Sequence, residues 1–144
     1  MKIELRKFKA IDNFRFLMLT LNSDSAKGLN RSFFDFILKG VKDLFSKPNL
    51  NKFVILVDGK FAGSIGIFKV DKFNEIGFYI SPEFRRKGIG TKALKEMLVY
   101  YKINLKAVTT PDNLATVKVL KNNEFKLLKA NKRENELIFE RRLN

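Results

Sequence analysis

The segment Glu75–Leu94, EIGFYISPEFRRKGIGTKAL, constrains this chain more than any other. A strand, Glu75 to Ile80, leads through Ser81-Pro82 into the basic loop Arg85-Arg86-Lys87-Gly88-Ile89-Gly90, and Thr91 then carries the chain into a helix. Glycines let the backbone turn tightly and come close to a ligand, and the first helical turn leaves N–H groups free to meet an anion. Strand, glycine loop and helix start, in that order, make a phosphate-binding device, and Arg85, Arg86 and Lys87 add fixed positive charge to it. The loop is not a P-loop, because no Lys-Ser/Thr follows Gly90. Nor is it a dinucleotide fingerprint, because Lys92-Ala93 runs on without a third glycine. The plainer reading of the same residues is a glycine-softened helix start beside a solvated basic turn.

Two absences narrow the chemistry. The chain has neither cysteine nor histidine, which removes disulfides, thiolate nucleophiles, Ser-His-Asp triads and His-ligated metals. No metal site is expected. Catalysis would have to run on carboxylates, tyrosine, lysine, backbone amides or water. At 144 residues with 45% hydrophobic and 31% charged content, one domain spanning residues 1–144 is expected, with a core rich in its 15 phenylalanines. No apolar run approaches the about 20 residues of a membrane span, and the charged start MKIELRKFKA does not resemble a signal peptide. A cytoplasmic location, with no membrane partner, is the resulting expectation.

Along the chain, alternation in KIELRKF predicts an opening strand, and Ala10 to Leu21 a short helix. Asn22 to Asn30 is a polar connection. From Arg31 to Phe45 the residues Phe33, Phe34, Ile37, Leu38, Val41 and Phe45 recur at helical spacing before Pro48. Strands at Lys52–Val57 and Phe61–Val70 flank Asp58-Gly59, a strong hairpin signal. After a turn at Asp71–Asn74 come the strand Glu75–Ile80 and a helix from Ile89 to Lys102. That helix should bury Ile89, Ala93, Leu94, Met97, Leu98 and Tyr101 and turn Lys92, Lys95, Glu96 and Lys102 to water. A strand at Leu105–Thr109, a helix carrying Leu114, Val117 and Leu120, and strands at Phe125–Leu128 and Leu137–Leu143 around the turn Asn131–Asn135 complete the chain. The order β-α-α-β-β-β-α-β-α-β-β predicts an α/β fold with a mixed sheet and helices on both faces.

The loop resembles the Arg/Gln-x-x-Gly-x-Gly/Ala signature of the GNAT-type N-acetyltransferases, with Ser81-Pro82 before it and Ile89-Gly-Thr-x-x-Leu94 after it. A second stretch, Asn113 to Phe125 with Thr116, Leu120 and Glu124, resembles the family's Asn-x-x-Ser/Ala-…-Gly-Phe element, most of all in the branch that includes ribosomal-protein N-terminal acetyltransferases. The resemblance covers nearly the whole chain and is specific from Glu75 to Phe125. It implies splayed central parallel strands, Glu75–Ile80 and Leu105–Thr109, with acetyl-CoA as cosubstrate lying between them. It also implies direct transfer of acetyl to a primary amine on a protein N-terminus, a lysine or a small molecule.

Carried onto this sequence, the resemblance places the pantetheine arm on the backbone of Phe78 and Ile80. The pyrophosphate falls on Arg85, Arg86, Lys87, Gly88, Ile89, Gly90 and Thr91, and further contacts fall on Asn113 and Thr116. For Asn113 a helix N-cap role stands beside the cofactor contact, and both can hold. Glu75 is the candidate general base, against a reading as a solvent-facing strand end; Tyr79 is a weaker candidate. Tyr100 and Tyr101 read as packing residues. Leu120 stands where many relatives carry a thiolate-protonating tyrosine, and Glu124 replaces the usual glycine, so the turn is expected to close on Asn122 or Asn123. The charge of +14 leaves three readings open: compositional drift, attraction of polyanionic CoA, or an acidic or ribosomal partner. A non-catalytic acetyl-CoA-sensing or nucleic-acid-binding module is the alternative function. Monomer and homodimer both remain open.

Overall fold

Turn chemistry sets the first pairings. In the computed structural model, which describes residues 1–9, 11, 12, 15 and 51–143, β1 (Ile3–Lys7) pairs antiparallel with β2 (Lys52–Val57), and β2 with β3 (Lys60–Val70). Asp58 and Gly59 both take positive φ, 48° and 78°, the geometry whose twist suits a two-residue hairpin. The next turn is tighter than expected. Only Asp71 and Lys72 lie outside the ladder, because Phe73 already pairs with Val70, so β4 runs Phe73–Ile80. The helices expected at Ala10–Leu21 and Arg31–Phe45 lie outside the described residues, apart from Ile11, Asp12 and Arg15. Asp12 is fully buried and takes a two-pronged ion pair from Arg6, at 2.8 and 3.0 Å.

After a 3-10 turn, Pro82–Phe84, helix α1 spans Ile89–Tyr100, followed by β5 (Leu105–Thr109), α2 (Leu114–Asn122), β6 (Lys126–Asn131) and β7 (Glu136–Arg141). The seven strands form one mixed sheet in the order β1-β2-β3-β4-β5-β7-β6, and β4 with β5 is its parallel pair. The expected fold class and strand order are observed. The closing hairpin differs in its boundaries. β6 extends to Asn131 and β7 starts at Glu136, because pairing with the neighbour, not local pattern, decides where an exposed edge strand ends. Leu127 and Leu128 stay exposed there.

Among the described residues the core is aliphatic more than phenylalanine-rich. Ile55, Ile65, Ile67 and Ile76 of the sheet meet Ile89, Ala93, Leu94 and Met97 of α1, and only Phe125 and Phe139 are buried phenylalanines among the described residues. Larger rings such as Phe53, Phe68 and Phe78 are half-buried at the margins. The predicted stripe of α1 is otherwise as expected, except that Glu96 is half-buried. Tyr101 packs edge-on against Phe53 and bonds Asn51 through its hydroxyl at 3.2 Å, whereas Tyr100 is exposed. Leu114 is likewise exposed, in the first turn of α2.

The end of α2 corrects another expectation. The chain turns through Glu124 itself, at φ 65°, and not through Asn122 or Asn123. Phe125 N–H bonds Leu120 C=O and Glu124 N–H bonds Lys121 C=O, both at 3.1 Å, which is the two-bond helix stop that favours glycine. A left-handed L-residue costs roughly 1–2 kcal/mol. The Arg141–Glu124 contact, at 3.4 Å with an exposed glutamate, offsets little of that. Glu124→Gly is therefore expected to stabilise the protein by about 1 kcal/mol, read as a higher melting temperature or denaturant midpoint.

Candidate active site

The cleft originates in the one parallel contact of the sheet. β4 and β5 share a single register pair, Glu75 with Lys106. Beyond it, Gly77–Ile80 of β4 pair only with β3, and Ala107–Thr109 of β5 only with β7. The facing edges of both strands toward their C-terminal ends therefore have no ladder partner among the described residues. Backbone N–H and C=O groups left so are obligatory hydrogen-bonding groups in want of a partner, which Arg85 Nε already supplies to Ile80 C=O at 2.9 Å. The expected splay of the central strands is present, with Glu75 at its vertex.

Alternation along β4 sorts the candidate residues onto two faces. Phe78 and Ile80 flank Gly90 of α1, within 3.8 and 3.7 Å of where its Cβ would be, and so lie on the α1 side. Glu75 and Tyr79 project from the opposite face. The strand end is held by the bulge in β3: Ala62 is skipped by the β2 register, and its carbonyl takes Ser81 N–H at 2.8 Å. Gly63, which sequence reasoning passed over, is required beside it, since a Cβ there would meet Tyr79 O at 2.0 Å. An isolated glycine inside a strand was the available signal.

The loop delivers the first turn of α1 without a cap. Gly88 is the N-cap at φ 72° and has no side chain to cap the N–H groups that follow it, and the first turn holds no acidic residue. Arg86, at φ 60°, is a second left-handed residue, so the main chain curls ahead of the helix. A Cβ on Gly88 would meet nothing within 4 Å, so its bare face is open. Gly90 differs. It is buried, its missing side chain pointing at Val119 of α2 at 3.4 Å, which makes it a helix-packing glycine. The three cations also separate. Arg85 folds back, its Nε donating to Ile80 C=O at 2.9 Å and its guanidinium lying 5.8 Å from the Tyr79 ring; Lys87 bonds Glu83 C=O at 2.9 Å. Arg86 is exposed.

The start of α2 makes a useful contrast. Asn113 Oδ1 accepts Thr116 N–H at 3.2 Å, so Asn113 is the N-cap of α2. Its amide NH₂ remains available for a second partner. Thr116 is half-buried in that first turn. One helix N-terminus is thus closed by its own side chain while the other, ringed by cations, is open. Positive residues beside the positive end of a helix dipole repel it unless an anion intervenes.

Glu75 is half-buried. Burial, and then the like charge of Glu136, push its carboxyl above the usual glutamate range. That shift brings a carboxylate closer to the proton affinity useful for a base near neutrality. Tyr79 is buried on the same face. Leu120 is fully buried in the core and brings no polar group to the cleft. Among the described residues no cluster of three or more acidic side chains is suited to hold a metal, and no helix is long and apolar enough to cross a membrane.

The acetyltransferase (GNAT) family model matches residues 15–125, and the chain belongs to that family. Its fold is similar to an acetyltransferase from Salmonella typhimurium that modifies the N-terminal serine of ribosomal protein L7/L12 (TM-score 0.74, 17% identity, covering 100% of this chain and 96% of that one). A domain from Methanocaldococcus jannaschii superposes with TM-score 0.77 at 21% identity over 99% of both chains. The Campylobacter jejuni N-acetyltransferase PseH in complex with acetyl coenzyme A gives 0.68 at 17% identity, over 99% of this chain and 100% of that one. A sequence search of curated proteins finds no significant match.

Proposed function

We propose that this chain, acting as a single cytoplasmic domain, transfers acetyl from acetyl-CoA directly to a primary amine. The observation that carries this reading is the uncapped first turn of α1 beside unpaired strand edges. The residues present fit acetyl-CoA. The N–H groups after Gly88 suit a pyrophosphate, the edges of Phe78 and Ile80 suit the amides of a pantetheine arm, and the free amide of Asn113 suits another carbonyl. Acetyl-CoA supplies an activated thioester. The chain supplies position and a proton acceptor: the amine nitrogen bonds to the acetyl carbon, the C–S bond breaks, and the amine proton passes to Glu75 directly or through water. The released thiolate takes a proton, for which Tyr79 is the candidate among the described residues.

The charge of +14 favours an acidic acceptor, such as the N-terminus of an acidic ribosomal protein, over a polycation. The test is release of free thiol from acetyl-CoA against a panel of acidic peptides, basic peptides and polyamines. Amine-dependent thiol release, strongest with acidic peptides, is expected. Tight acetyl-CoA binding with no release on any amine would favour the non-catalytic alternative instead.

The cations of the loop should act differently from one another. Arg86→Ala is expected to weaken CoA binding about two- to fivefold at low salt, and the loss should fade as salt rises. Arg85→Ala should weaken binding at low and high salt alike, because Arg85 braces the carbonyl of Ile80. Calorimetric titration at two ionic strengths separates the two.

A further inference from the structure

Asn123 ends α2 as a buried polar residue, 5% exposed. Its amide nitrogen donates twice, to Val119 C=O at 2.9 Å in its own helix and to Thr91 C=O at 3.2 Å in the first turn of α1. Both protons of the NH₂ are thereby used, and the reverse orientation of the amide would set its oxygen against two carbonyls. The bond to Thr91 joins the two helices where Gly90 already packs on Val119. Asn123 is itself held by the bonds on either side of it, Phe125 N–H to Leu120 C=O and Glu124 N–H to Lys121 C=O. One side chain thus fixes the open N-terminus of α1 against the helix that starts at Asn113 and Thr116.

We propose that Asn123 is a positioning residue for the acetyl-CoA site, its amide holding the first turn of α1 in register with α2 so that both address one ligand. The proposal rests on the cosubstrate assignment above. Backbone donors aimed at an anion hold their strength only when their supporting shell fixes them to within about half an ångström. Helix packing through Gly90 and Val119 sets the approach of the two helices but, being non-directional, fixes sliding and rotation less sharply than a hydrogen bond does. The directional bond to Thr91 restricts both.

Two variants test this. Asn123→Ser keeps a hydroxyl that can bond Val119 one turn back but is too short to reach Thr91. Asn123→Asp keeps the shape and presents oxygen to both carbonyls. Each is made alone and with Glu124→Gly, which is expected to restore melting temperature without touching the joint. Calorimetric titration should show acetyl-CoA binding weakened about tenfold in Asn123→Ser and more in Asn123→Asp. The loss should persist in the double variants after their melting temperature has recovered, with the KM for the amine unchanged. Wild-type affinity in Asn123→Ser, or affinity that returns together with stability in the double variants, would overturn the proposal. A parent protein that does not bind acetyl-CoA would overturn the cosubstrate assignment itself, and this proposal with it.

Discussion

Glu75→Gln is expected to lower turnover by about 10²–10⁴-fold while leaving acetyl-CoA affinity close to that of the parent chain. Gln keeps the size and much of the hydrogen bonding of Glu but cannot take a proton. The residue sits at the vertex of the β4–β5 splay, in the last register pair before the strands part, and projects from the face opposite the Phe78 and Ile80 side chains. Its carboxyl lies above the ordinary glutamate range because of burial and of Glu136, so the acidic limb of the parent rate profile should lie above that of an exposed glutamate. In the variant that limb should vanish, and the deficit should shrink toward high pH as the amine sheds its proton unaided. Rates measured over roughly pH 6 to 9 decide the matter: a full rate with the parent profile would reduce Glu75 to a strand-end residue and leave a catalyst that works by positioning.

The same substitution carries a stability signature of opposite sign. A carboxyl whose folded pKa is raised binds its proton more readily folded than unfolded, so its contribution to stability is present below the unfolded pKa and is lost as pH rises through the folded one. The ionised Glu75 therefore costs stability at neutral pH, and Glu75→Gln should melt higher than the parent there. That advantage should disappear in acid, where the Glu75 carboxyl of the parent is protonated in the folded and the unfolded chain alike. Gain of stability together with loss of rate is what a site strained for function produces, and melting curves at pH 7 and in acid would show it.

The glycine loop was legible because each of its parts has a local cause. Gly88 does take positive φ and the helix does begin at Ile89, as the spacing of Arg85, Gly88 and Gly90 implies. Asp58-Gly59 was legible for the same reason. What could not be read were properties set by distant partners. Nothing in the order Arg85-Arg86-Lys87 says that Arg85 bends back to the carbonyl of Ile80 while Arg86 stays exposed. The two loop glycines look equivalent in sequence, yet one faces open space and the other packs on Val119. Glu124 occupies a left-handed position against its intrinsic preference, because the buried neighbours Leu120 and Phe125 fix the turn between them. The Asn123–Thr91 bond spans two helices and has no sequence signal.

The difference between the two loop glycines decides how the phosphate-binding assignment should be tested. Gly90→Val would drive methyl groups into Val119, Ile80 and Phe78, and any loss of binding would be confounded with core strain of about 1–3 kcal/mol. Gly88→Val avoids that, because a Cβ at Gly88 meets nothing within 4 Å. Its own penalty is conformational: φ of 72° places a β-branched residue in the left-handed region, at a cost of roughly 1–2 kcal/mol. A domain of this size should remain folded under that burden. The added methyls would project into the open space ahead of the α1 N–H groups and hold a pyrophosphate away from them, so acetyl-CoA affinity should fall by about tenfold or more, two or three N–H contacts being lost at about 0.5–1.5 kcal/mol each. Gly88→Ala, with a smaller side chain and the same backbone strain, should fall between parent and valine variant. Calorimetric titration of all three, with circular dichroism to establish folding, gives the order. A folded Gly88→Val variant that binds acetyl-CoA like the parent would mean that the open end of α1 meets no phosphate.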